Sequence, residues 1–99
     1  MKERRVVFAP EAADDLVGLY DWIAQEASPP VAIGYIERVE AFCQRLSIGS
    51  ERGHLRGDIR PGLRIVGFER RLTIAFVVGA GTVTILRIFT AGRNWEATL

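Results

Sequence analysis

Ser28-Pro29-Pro30 constrains the fold of this chain more than any other short stretch. Before it, Ala12, Leu16, Leu19, Tyr20, Ile23 and Ala27 recur at three-and-four spacing, the apolar stripe of one amphipathic helix. After it, Ala32, Tyr35, Ile36, Val39, Phe42, Cys43 and Leu46 form a second stripe. Pro10 and Pro30 both fall near a first helical turn, where a missing N–H costs nothing. Glu11, Asp14 and Asp15 suit the positive end of the first helix dipole. Two helices joined by so short a break must run antiparallel, as a helical hairpin.

The rest reads as strand. Arg5-Val6-Val7-Phe8 is a short apolar run stopped by Ala9-Pro10. Residues 49–62 are polar and rich in glycine and arginine, which predicts a loop. Arg52, Arg56, Arg60 and Arg64 recur every fourth residue, but Gly53, Gly57, Asp58 and Pro61 oppose a helix there. Strands are expected over 64–68, 71–78 and 82–89, with turns at Glu69-Arg70 and Gly79-Ala80-Gly81. The fold class is therefore α+β: an N-terminal short strand, then a helical hairpin on one face of a small, mainly antiparallel sheet. A single domain over 1–99 is expected from the length.

Alternation puts Leu72, Ile74, Phe76 and Val78 on the face that meets the helices, with Thr73, Ala75 and Val77 on the other. In the last strand Val83, Ile85 and Phe89 fall on one face, and Leu86 and Ile88 on the other. Both faces are thus apolar, and two helices cover only one of them. Part of the second face is expected to meet a partner. Loop 49–62 folding back over it is the other way to hide that surface.

Charge is unevenly spread. Residues 1–51 hold five basic and nine acidic side chains, a net −4; residues 52–99 hold eight basic and three acidic, a net +5. All eight of those cations are arginine, whose fork suits phosphate and carboxylate, so the second half points either to an anionic or acidic partner or equally to arginines that simply line solvated strand edges. No apolar run is long enough to span a bilayer, and no apolar stretch follows the charged residues 1–5 as in a signal peptide. Cys43 stands alone on a helical stripe, a small core hydrophobe suited to a reducing cytoplasm.

The inventory for catalysis is thin. One histidine and one cysteine without paired spacing build no transition-metal site, and no cofactor is expected. Ser50, His54 and Asp58 share a glycine-rich loop, which does not make a triad. Asp14 and Asp15, as helix neighbours, diverge by about 100° and read as structural. What remains is the arginine set Arg64, Arg71, Arg87 and Arg93, able to bind anions but poor as a base. Arg87 is equally readable as a sheet residue paired to Glu69 or Asp58. Such a set resembles a binding surface more than a hydrolytic centre.

Three runs in order resemble the RelE/ParE superfamily of bacterial type II toxins. They are Phe8-Ala9-Pro10-Glu11-Ala12-Ala13-Asp14-Asp15-Leu16, Arg60-Pro61-Gly62-Leu63-Arg64, and Ile85-Leu86-Arg87-Ile88-Phe89-Thr90-Ala91-Gly92-Arg93. RelE-like members cut ribosome-bound messenger RNA with basic residues on the central strands and often a C-terminal tyrosine or histidine. Here the strands carry no lysine, and nothing beyond Phe89 is a tyrosine or histidine. The Gly-Leu-Arg entry and the Leu-Arg-Ile to Gly-Arg ending look instead like ParE, whose members poison DNA gyrase on cleaved DNA. Many ParE sequences have a histidine before that Gly-Arg and an arginine after it; this chain has Ala91 and Asn94.

The resemblance implies a non-enzymatic gyrase inhibitor, with Arg64, Arg71, Arg87, Arg93, Asn94 and Trp95 as target-contacting candidates. It also implies a ParD-like antitoxin, whose C-terminal segment wraps the toxin and whose N-terminal domain binds the operon, so that this chain reads no DNA sequence directly. Trp22, Ala75, Val77, Ile85 and Phe89 are the candidates for that contact. The alternatives are a RelE-like ribonuclease, marked by convergence of Arg64, Arg71 and Arg93 in one basic site, and a non-toxic chain that only binds antitoxin.

Overall fold

The computed structural model describes residues 3–91 and 94–99. Its elements follow the expected order: β1 (Arg5–Phe8), α1 (Pro10–Glu26), α2 (Pro29–Gln44), β2 (His54–Leu55), β3 (Leu63–Phe68), β4 (Leu72–Val78) and β5 (Thr82–Thr90). Short 3₁₀ turns follow α2 at Arg45–Ser47 and close the chain at Trp95–Ala97. Both helices open on proline, and Ser28 caps α2 by accepting the Val31 N–H at 3.3 Å. No helix among the described residues is long and apolar enough to cross a membrane.

The described strands form one mixed sheet in the order β1-β5-β4-β3-β2. β3, β4 and β5 are antiparallel neighbours, and β1 pairs with β5 in parallel, from Arg5 opposite Thr82 to Phe8 opposite Ile85. Between these two parallel strands the chain runs through both helices and then through β2, β3 and β4. The expected loop 49–62 contributes an edge strand of its own, β2, paired to Ile65 and Arg64. Gly53 makes this approach feasible: its φ is +75°, and a Cβ there would run into the Ile65 carbonyl.

One irregularity decides which side chains face where. Ala75 pairs with Arg87 and Phe76 with Ile85, so Leu86 is an extra residue, a β-bulge in β5. Simple alternation fails beyond it. Val83, Ile85 and Ile88 join Leu72, Ile74 and Phe76 in the core beneath the helices, with Ala12, Tyr35, Val39 and Cys43. Leu86 and Phe89 turn to the second face. The grouping of Ile85 with Phe89 on one face, and of Leu86 with Ile88 on the other, is thereby corrected: Ile85 is a core residue, and only Phe89 of that pair lies on the second face.

The second face is covered by the chain itself. Leu63, Ala75 and Phe89 are fully buried there under Ile59, Ile65, Leu86, Trp95 and Leu99. Loop 49–62 and the C-terminal turn supply that cover. The expected open apolar face is absent from the described residues of this sheet, because residues distant in sequence close it.

Candidate functional site

A broad concavity lies on the helix side. α1 buries only Ala12 completely, leaving its middle and C-terminal turns partly uncovered above the end of the sheet. Between them a groove of about 830 Å³ is walled by Leu19, Ile23 and Trp22 of α1, by Val31 and Tyr35 of α2, and by Leu72 of β4. Its far rim is polar: Arg38, Glu69, Arg70, Arg71 and the end of β5 at Thr90-Ala91. A smaller cleft of about 240 Å³ continues along α1 past Gly18 to Asp14, Asp15 and Ile88. Trp22 borders both and is 61% exposed, a large apolar side chain turned to solvent.

The polar rim is built by the β3–β4 turn. Glu69 and Arg70 both have positive φ, 50° and 59°, the pattern of a type I′ turn, closed by the Arg71 N–H on the Phe68 carbonyl at 2.9 Å. Non-glycine residues are strained there, and Glu69 is held by Arg38, which donates to both its oxygens at 3.1 Å. That pair pulls the Glu69 carboxyl below its ordinary range and raises the Arg38 guanidinium. Arg38 also lies 4.9 Å over the Tyr35 ring. The Tyr35 hydroxyl is buried with no hydrogen-bond partner among the described residues, and burial is the first cause of its raised pKa.

The arginine candidates separate. Arg64 pairs across from Phe76, five residues along β4 from Arg71, or roughly 16 Å of strand. Arg71 stands at the groove rim, where its carbonyl accepts the Ala91 N–H at 2.7 Å. Arg87 is engaged by Asp15, through Nε at 2.8 Å and Nη2 at 3.0 Å, with the two side chains only 19% and 13% exposed. The carboxylate raises the Arg87 pKa further. The partner of Arg87 is therefore neither Glu69 nor Asp58. Arg93 lies outside the described residues. Asn94 is exposed, just before the terminal 3₁₀ turn. Trp95 is half-buried, stacked on Phe89 at 6.2 Å between centroids and 26° between planes.

Of the expected partner contacts, Trp22 is exposed and Val77 half-buried, whereas Ala75, Ile85 and Phe89 have no accessible surface. A contact through those three would require the cover or the helices to move. The loop residues do not assemble a triad either. Ser50 is buried and donates to the Leu46 carbonyl at 2.5 Å, Asp58 is paired to Arg56, and His54 is exposed on β2. Burial pushes the Cys43 thiol up to about 12, which leaves it inert inside the core.

Sequence reasoning missed the groove. Its two walls come from the helix hairpin and from the β3–β4 turn, elements whose relative placement no local pattern encodes. The signals that were available are the off-stripe Trp22 and the run of charge at Glu69-Arg70-Arg71.

A family model described as ParE toxin of type II toxin-antitoxin system, parDE, matches residues 6–95 of the chain. Toxin ParE3 of Caulobacter vibrioides is 28% identical over 95 residues, covering 96% of this chain and 94% of that protein. A solved structure described as the chromosomal ParDE TA system from P. aeruginosa aligns with a TM-score of 0.78 at 25% identity, over 89% of this chain and 96% of the other.

Proposed function

The chain belongs to the ParE family of type II toxins, and from that premise we propose that it arrests growth by binding DNA gyrase and holding it on cleaved DNA. The observation that carries the choice of a binder over a ribonuclease is the dispersal of the arginines. Arg64 and Arg71 stand at opposite ends of the β3–β4 hairpin, and Arg87 is taken by Asp15. Stabilising the charge of a phosphoryl transition state needs donors converging on one place. Separated arginines support contact with an extended anionic or acidic surface instead.

Neutralisation is proposed to come from a ParD-like antitoxin, with a C-terminal segment seated along the α1 groove. An apolar wall of Leu19, Trp22 and Val31 facing a rim of Arg38, Arg70 and Arg71 suits an amphipathic segment with an acidic edge. Trp22, large and exposed, has the character of an anchor. The proposed setting is the cytoplasm, where gyrase works.

The target reading is tested by inducing the chain without antitoxin and following DNA and protein synthesis separately. A gyrase poison halts DNA synthesis first and produces double-strand breaks. Immediate loss of protein synthesis with intact DNA would move the ribosome to the front.

A further inference from the structure

Side chains from three distant parts of the chain form one column on the second face of the sheet. The Arg87 guanidinium lies 4.8 Å from the Phe89 ring centre, Phe89 stacks on Trp95, and the Arg56 guanidinium lies 5.4 Å over Trp95. Arg56 is itself fixed from the loop side. Its Nε and Nη2 donate to the two oxygens of Asp58 at 2.9 Å each, and its backbone N–H donates to the Leu63 carbonyl at 2.7 Å. The same Nη2 donates to Glu96 at 3.0 Å. One guanidinium thus holds the ring of Trp95 and the carboxylate of Glu96, consecutive residues of the terminal turn.

Among the described residues the turn's other ties to the sheet are apolar: Trp95 stacked on Phe89, and Leu99 packed over the same cluster. The backbone hydrogen bond described for Trp95–Ala97 is internal, from the Thr98 N–H to the Trp95 carbonyl at 3.0 Å. Its position against the sheet therefore depends on side chains. Arg56 is 27% exposed while Glu96 is 51% exposed, so the arginine is the fixed member and the tail carboxylate the docked one. A planar fork can satisfy two carboxylates in its plane while its face lies on an aromatic ring; a lysine ammonium keeps the charge but lacks that bidentate geometry.

We propose that Arg56 is a positioning residue for the C-terminal tip: it clamps the terminal turn to the sheet and so sets how Asn94 is presented to the target. This rests on the reading that the C-terminal cluster contacts the target.

Trp22 and Trp95 are the chain's two tryptophans, so a Trp22→Phe background makes Trp95 the sole indole reporter. In that background, acrylamide quenching of Trp95 is measured for the parent chain, Glu96→Gln and Arg56→Ala. Growth arrest on induction is measured for the same two substitutions, and for Arg56→Lys, with Trp22 intact. The clamp requires quenching to rise from parent to Glu96→Gln to Arg56→Ala, with the melting temperature unchanged in Glu96→Gln.

Potency should fall roughly fivefold in Arg56→Ala, near the upper limit for an ion pair of this exposure, and recover in part in Arg56→Lys. Unchanged quenching in both variants would overturn the clamp. Raised quenching with undiminished growth arrest would overturn the positioning role, as would a parent chain that arrests growth no more than an empty vector. Should Arg56→Ala fail to fold, Glu96→Gln decides alone, because its exposed side chain carries no core. Growth arrest is blind to the target, so failure of the gyrase reading alone, seen as no cleaved DNA with the purified parent, leaves these ratios standing.

Discussion

At Asp15 one carboxylate receives three hydrogen bonds, two from the Arg87 guanidinium and one from the Ile88 N–H at 2.8 Å. The need for it follows from strand lengths. β1 ends at Phe8 opposite Ile85, so the β5 backbone beyond has no strand on that side. Asp15 in α1 supplies the missing acceptor and ties the helix to the open edge, where a bulge has already turned the strand. Replacing it with alanine strands a mostly buried guanidinium and a backbone N–H together. Asp15→Ala should lower stability by about 2–3 kcal/mol, read as a shift of the urea midpoint without change in slope. A loss below about 0.5 kcal/mol, the range of an ordinary surface substitution, would mean that water replaces the carboxylate at no cost. The sequence offered Asp15 only as a structural acid near a helix start; its partner is 72 residues away, which spacing cannot reveal.

Among the elements, the helical hairpin was fully legible, because prolines, stripe and cap all act locally. The three central strands were legible to within a residue or so. The parallel docking of β1 was not, since any free edge of an apolar sheet could have taken it. The bulge at Leu86 was hidden for a different reason: an extra residue leaves composition and hydropathy unchanged while reversing every later side chain. For that reason Ile85 and Phe89 were assigned to one face, although the bulge between them puts them on opposite faces. The β3–β4 turn was placed correctly, but its strain became visible only in the backbone angles. Arg70 has a φ of 59°, which glycine adopts freely, and Arg38 grips Glu69 rather than Arg70. Arg70→Gly should therefore raise stability by about 1 kcal/mol, measured by thermal or urea unfolding. An equal loss would show that the Arg70 side chain contributes more at the groove rim than its backbone strain costs.

For the whole molecule, two surfaces divide the work in the proposed function: a groove along α1 for the antitoxin and the C-terminal end for the target. Sequence pattern pointed to an unsatisfied apolar surface but put it on the wrong side of the sheet. The second face is closed by Ile59, Trp95 and Leu99, while the partly uncovered helix carries Trp22 and lines the groove. Trp22→Asp should weaken antitoxin binding by at least tenfold, the scale of an interface anchor, while growth arrest in the absence of antitoxin persists. The test is titration calorimetry with the antitoxin encoded beside the toxin, and unaltered affinity would remove the groove from that interface.

The central claim is met most directly by incubating the purified toxin with gyrase, ATP and supercoiled plasmid, then adding detergent and protease. A gyrase poison of this family leaves linear plasmid that accumulates with toxin concentration and disappears when antitoxin is added first. Plasmid that stays supercoiled, in a preparation that still arrests growth when expressed, would contradict gyrase as the target.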